Sequence, residues 1–247
     1  MRKMTYSFKS ENKPVVLLLH GFLGSKSQWN TVAAALEKRY DLLFVELPGH
    51  GASPSISEYS IASLALEISQ QLLQQGIEKV HFVGHSMGGY VGAAFAKEYP
   101  SQLHSLTLVN SIAGADLPGR KQMRNRAIQL IDRFQDAYVS MAINNLFTKE
   151  EHESHQAIIE AMKVSAKNMT VKSVLAALRA MRDRPSVWLD DAVRVNYLYG
   201  DRDTVIDKSL IEKEIKTQGL KGLSFTGGHM LLLTHPVDLI QNLRFVD

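Results

Sequence analysis

Short apolar runs and longer segments with a three-to-four-residue apolar repeat alternate along this chain. The runs at 15–19, 42–45, 80–83, 103–109, 193–199 and 223–225 are rich in Val, Leu, Phe and Tyr, and Gly, Pro, Asp or Asn bounds most of them, as expected of strands. Between them, the spacing at 29–36, 61–73, 90–99 and 210–215 predicts amphipathic helices. Near-continuous apolar strands separated by helices predict an α/β protein with a mostly parallel sheet covered on both faces and right-handed crossovers. The alternation breaks over 111–191, where no strand pattern occurs. Helices are predicted there at 119–134, across 137–146, from Thr148 and over 170–182. Thr148-Lys149-Glu150-Glu151 has the form of a capping box. Asp183-Arg184-Pro185 stops the last of these helices, because the residue before proline is pushed out of the α region. Residues 1–110 and 192–247 therefore read as one core, with 111–191 as a helical cap inserted in it.

Composition narrows the function classes. With 247 residues, 45% hydrophobic and 21% charged, the chain is globular rather than disordered. The 28 Lys and Arg against 25 Asp and Glu leave a net charge of +3 with no long basic run, so a nucleic-acid partner is not expected. The absence of cysteine removes disulfides, Cys-ligated zinc and a Cys nucleophile. No apolar stretch follows the basic N-terminal residues as a signal peptide requires, and the run at 15–19 is far below the ~20 residues of a membrane span. The expectation is a soluble, cytoplasmic protein acting on a small molecule without a metal or cofactor, its oligomeric state left open.

The stretch Gly84-His85-Ser86-Met87-Gly88 carries the chemistry. It follows a predicted strand, precedes a predicted helix and has the form G-x-S-x-G. Such a strand-to-helix turn strains the serine backbone and exposes its hydroxyl, with the Met87 N–H and the helix dipole aimed at a developing oxyanion. A serine hydroxyl needs a base, and the base needs an orienting acid. In a chain of this order the acid and then the histidine follow the serine. Of nine histidines, His229 and His235 lie late enough; Thr226-Gly227-Gly228-His229 frees the backbone directly after the last strand, whereas His235 before Pro236 reads as a helix cap. Gly200-Asp201-Arg202-Asp203 offers two acids after the preceding strand, and Asp201 has an alternative role in bonding its own turn.

These residues resemble the α/β-hydrolase superfamily, along nearly the whole chain and in the correct order. His20-Gly21-Phe22-Leu23-Gly24 is similar to the oxyanion loop after that family's third strand, and Leu47-Pro48-Gly49-His50-Gly51 to the turn after its fourth. The resemblance implies a carboxylesterase-like serine hydrolase with Ser86 as nucleophile, His229 as base and Asp203 as acid, since the acid turn is usually Gly-x-x-Asp. It also implies oxyanion N–H groups from Phe22 and Met87, and a cap lying over the active site. His85, Trp29 and Arg124 are candidate substrate contacts; Trp29 and the cap methionines Met123, Met141, Met162 and Met169 read first as packing residues, the alternative being that some of them line an acyl pocket.

Ester hydrolysis is the default; thioesters, lactones and C–C bonds beside a ketone suit the same triad. The menaquinone-pathway synthase that eliminates pyruvate is similar in its Phe22-Leu23-Gly24-x4-Trp29 stretch, its Leu-Pro-Gly-His-Gly turn and its basic first cap helix, but usually has Arg where this chain has Tyr90. A non-catalytic receptor has no need of an intact Ser, Asp and His set. The basic start of the cap, with Arg120, Lys121, Arg124, Arg126 and Arg133 against Asp132, is expected to be mainly a solvated face, the sharper alternative being that Arg124 binds a substrate carboxylate.

Overall fold

The computed structural model describes residues 4–189, 193–243 and 245. Its sheet has seven strands: β1 (Thr5–Phe8), β2 (Val15–Leu19), β3 (Asp41–Glu46), β4 (Val80–His85), β5 (Leu103–Val109), β6 (Arg194–Gly200) and β7 (Lys221–Phe225), in the spatial order β1-β3-β2-β4-β5-β6-β7. All neighbours run parallel except β1, which pairs antiparallel with β3. The central strands read as continuous apolar runs because both faces are covered: every residue of β4 is buried. The edge strand β1 was absent from the sequence expectation. Thr-Tyr-Ser-Phe is too short to signal itself; its pairing with residues 43–46 and the 2.8 Å bond from the Thr5 N–H to the Ser53 hydroxyl hold it.

The core helices are α1 (Asn30–Leu36), α2 (Ile61–Gln74), α3 (Met87–Glu98), α8 (Lys208–Gln218), α9 (Leu231–Thr234) and α10 (Pro236–Asn242). They bury Leu64, Ile68, Leu72, Val91 and Phe95 against the sheet, each large apolar side chain contributing roughly 1.5–3 kcal/mol. Between β5 and β6 lie α4 (Pro118–Asn144), α5 (Lys149–Ser154), α6 (Gln156–Lys167) and α7 (Val171–Asp183), with no strand among the described residues. The predicted helices at 119–134 and 137–146 are one long helix, broken at Phe134 where φ is −133° and ψ 30°. The helix predicted from Thr148 ends at Ser154, and a second begins after His155. Thr148 and Glu151 form the expected capping box. The boundary expected at residues 191 and 192 lies outside the described residues. No helix among the described residues is long and apolar enough to cross a membrane.

Candidate active site

Ser86 caps α3 in a conformation that L-residues rarely adopt, φ 50° and ψ −116°. Close packing holds it there. A Cβ at Gly84 would lie 2.5 Å from the Gly88 carbonyl oxygen, and one at Gly88 would lie 2.3 Å from that of Leu19, so α3 can start this near the sheet only with glycine at both positions. Ser86 N–H donates to the Val109 carbonyl at 3.0 Å, and the Ser111 hydroxyl donates to the Ser86 carbonyl at 2.8 Å.

The loops that carry Asp203 and His229 leave the neighbouring strands β6 and β7 at the same end of the sheet. His229 Nδ1 donates to Asp203 Oδ2 at 2.7 Å, with both side chains buried. The same oxygen accepts from Asn110 Nδ2 at 3.0 Å, while Asp203 Oδ1 accepts from the N–H groups of Val205 at 2.7 Å and Ile206 at 3.0 Å. Burial alone raises the Asp203 pKa, but the charge and hydrogen bond of His229, with Asn110 and the Ile206 N–H, outweigh it and hold the carboxyl below its ordinary value. Asp201 is not part of this cluster. It accepts from the Gly227 N–H at 3.2 Å, bracing the base loop rather than its own turn.

Residues between β5 and β6 hold the His229 loop as well. The His229 N–H donates to the Leu146 carbonyl at 3.0 Å, and the Gly228 N–H to Glu151 Oε1 at 3.0 Å. Glu151 is buried, and its other oxygen completes the capping box by accepting from the Thr148 N–H at 2.8 Å. His235 makes no side-chain cap bond to α10; its Nδ1 meets the Thr234 hydroxyl at 2.9 Å and lies 3.9 Å from Glu151 Oε1.

The loop carrying Phe22 follows β2, this chain's second strand. It passes within contact of Ser86: a Cβ at Gly21 would lie 3.0 Å from the Ser86 Cβ. Two buried histidines fasten the loop. His20 accepts from the Leu47 N–H at 3.1 Å, and His50 accepts from the Leu23 N–H at 3.2 Å. Their other ring nitrogens donate to the carbonyls of Gly21 and Pro48, at 2.8 and 2.9 Å. Burial pushes His20 down to about 4 and His50 to about 3, the latter helped by His20, so both are neutral at pH 7.

Ser86, His229, Phe22 and His85 line one chamber of about 50 Å³, together with Arg120 and Arg124. Phe22, Arg120, Arg124, Leu146 and Val205 are shared with an adjoining cavity of about 790 Å³ beneath α4. His85 is buried, and its Nε2 donates to the His229 carbonyl at 2.9 Å; burial, with His229 nearby, lowers its pKa to about 3. Trp29 is fully buried and lines neither cavity, so its place is the core.

The solvated-face expectation fails for Arg124, which is 7% exposed and forms an ion pair through Nε with Asp116. The other Asp116 oxygen takes Arg184 Nη1 at 2.6 Å, and the Arg184 guanidinium lies 3.7 Å over the Tyr90 ring. Among the described residues Arg124 makes no hydrogen bond beyond Nε, which leaves its Nη groups available to the cavity it lines. The sequence gives no sign of the roles of Asn110 and Asp116, of the bond from Gly228 to Glu151, or of the pairing of Arg184 with Asp116. Asn110 follows a strand without a motif, and the Gly228–Glu151 and Arg184–Asp116 pairs join residues 77 and 68 positions apart.

A model of the alpha/beta hydrolase fold family matches residues 14–236, and this chain belongs to that family. Over 99 residues it is 41% identical to a putative carbamate hydrolase, RutD, of Escherichia coli O44:H18, a match covering 39% of this chain and 37% of that protein. It is 38% identical over 105 residues to the monoacylglycerol lipase abhd6-A of Xenopus laevis, covering 41% of this chain and 31% of the lipase. The matched stretch is thus about a third of the length of these relatives. Among solved structures it superposes on a thermophilic esterase of Thermogutta terrifontis, bound to malate, with a TM-score of 0.86 at 24% identity over 98% of this chain and 91% of that one. The enol-lactonase of Burkholderia xenovorans LB400 gives 0.86 at 18% identity over 97% and 94%. At such identities the likeness is one of fold.

Proposed function

We propose that this chain is a serine hydrolase that cleaves a carboxylic ester through an acyl-enzyme. The observation that carries the reading is the 2.7 Å bond from His229 to Asp203, in a chamber that also contains a serine held at φ 50°. His229 Nδ1–H is fixed on Asp203, so Nε2 is the free base. It takes the Ser86 proton as Oγ attacks the acyl carbon, and the N–H groups of Phe22 and Met87 receive the oxyanion. The tetrahedral adduct collapses as the His229 imidazolium protonates the departing alcohol. A water activated by the same nitrogen then releases the acid. The hydrolase, lipase and esterase names of the similar proteins support this class.

Ser86→Ala tests it: hydrolysis of p-nitrophenyl acetate should fall by about 10⁶ in kcat with thermal unfolding unchanged. Retention of more than a few per cent of turnover would sink the assignment.

A second observation favours substrates that carry a negative charge. Arg120 and Arg124 stand at the neck between chamber and cavity, and the single Asp116 is shared by Arg124 and Arg184. Arg184 also donates to the carbonyls of Met181 and Gly114, so it does not replace the arginine that Tyr90 displaces in the synthase-like pattern. A desolvated charge-assisted bond is worth roughly 1.5–3 kcal/mol, so Arg124→Ala should lower kcat/KM by about 10- to 150-fold on an anionic ester. An equal, small change on a neutral ester of the same length would retire this subsite.

A further inference from the structure

On α4, residues Met123, Ala127, Leu130, Phe134, Ala137 and Met141 follow one another at alternating intervals of four and three. Such spacing draws a stripe along a helix, carried here by the two segments of α4 on either side of the break at Phe134. Ile131, Val139 and Ile143 form the buried face of this helix. The stripe lies elsewhere: Met123 is 61% exposed, Leu130 53%, Phe134 55% and Met141 53%. A run of large apolar side chains left open to water marks a binding surface. All six line the cavity of about 790 Å³, which meets the Ser86 chamber at Phe22, Arg124 and Val205.

We propose that the stripe is a binding site for a long, apolar, unbranched arm of the substrate, so that this hydrolase acts on a single-chain amphiphile. The inference rests on the hydrolase reading given above. Volume points to a long arm. The chamber beside Ser86 holds about 50 Å³, room for only a few waters, and is far smaller than the adjoining cavity of about 790 Å³. Any larger substrate must extend into the cavity, whose size suits a small ligand. Charge argues against a second copy of this chain. Arg126 and Arg133 flank the stripe and form no salt bridge among the described residues, so an antiparallel copy would set arginine against arginine. Met at both ends and Phe at the break in α4 suit an arm that adapts its path.

The test is a series of p-nitrophenyl acyl esters from C2 to C8, beside a series of acetate esters of 1-alkanols. A methylene entering a half-open groove sheds about half its water, equivalent to about a twofold rise in kcat/KM. One series should therefore rise about 60-fold over six methylenes. Leu130→Glu and Phe134→Glu should flatten that slope, while Val164→Glu, on an exposed site of α6 outside the groove, should leave it intact. A flat wild-type slope with acetate still hydrolysed overturns the inference and leaves the hydrolase reading standing. A wild type that cleaves acetate no faster than Ser86→Ala sinks the hydrolase reading instead. In that case cis-parinaric acid decides: fluorescence titration should give a Kd at least tenfold weaker in Leu130→Glu than in wild type, and equal values overturn the site. A dimer by light scattering that Leu130→Glu dissociates also overturns it.

Discussion

Replacing Asp203 by Asn is the sharpest perturbation, because this carboxylate serves four donors. Oδ2 accepts from His229 and Asn110, and Oδ1 from the N–H groups of Val205 and Ile206. An amide has one oxygen for these two pairs. With its NH₂ toward the backbone it leaves two buried N–H groups unpaired, at about 1–3 kcal/mol each. With its NH₂ toward His229 it forces the imidazole to present Nδ1 as acceptor, so Nε2 carries the proton and cannot act as base. The second orientation should lower kcat by about 10⁴ with KM nearly unchanged; the first should lower the unfolding free energy by about 2–6 kcal/mol. Asp201→Asn is the control, since its hydrogen bond from the Gly227 N–H needs only an oxygen, which the amide retains, and its 4.0 Å ion pair with Arg202 is exposed and weak. Steady-state kinetics and urea unfolding on both variants check this. Activity above one per cent in Asp203→Asn, or a larger loss in Asp201→Asn, would refute the assignment of the acid.

Glu151 joins the cap to the base loop, so Glu151→Gln, which cannot accept from both Gly228 and Thr148, should reduce kcat about tenfold at constant KM. Thr148→Ala should instead remove about 1 kcal/mol of stability by opening the cap of α5 and leave kcat unchanged; the two kinetic and melting profiles coming out alike would contradict this. Stability should also depend on pH through three buried imidazoles. Burial depresses His20 to about 4 and His50 and His85 to about 3, all below the unfolded value near 6.5, so their neutral forms stabilise the fold above that pH, and the contribution is lost as pH falls through 6.5 toward 4 and 3. From pH 7.5 to 5.5 the expected loss is about 4 kcal/mol, or about 1.4 for each, and equal urea midpoints at the two pH values would disprove it.

The local signals were readable for a physical reason. A strand buried on both faces must be apolar throughout, so β2, β4 and β5 announce themselves. The turn at Ser86 tolerates only glycine where α3 crosses the end of β2, so its spacing marks it. Capping at Thr148 and Glu151 is confined to four residues and was legible, and so was the break in α4, within two residues. The other duty of Glu151 was not legible, because its partner Gly228 lies 77 positions away.

The chain's local chemistry determined the alternation of strands and helices, the strained serine turn and the order in which serine, aspartate and histidine arrive. The first two are dictated by backbone geometry within a few residues, and the third is the order of those residues along the chain. Tertiary structure alone decided that Asn110 shares the Asp203 carboxylate, that Trp29 belongs to the core, and that Arg124 turns inward to Asp116 instead of outward to water. It also decided that the stripe on α4 overlies a cavity and not another helix. A helical repeat says which residues share a face; what that face meets depends on elements distant in the chain, whose docking no local pattern encodes.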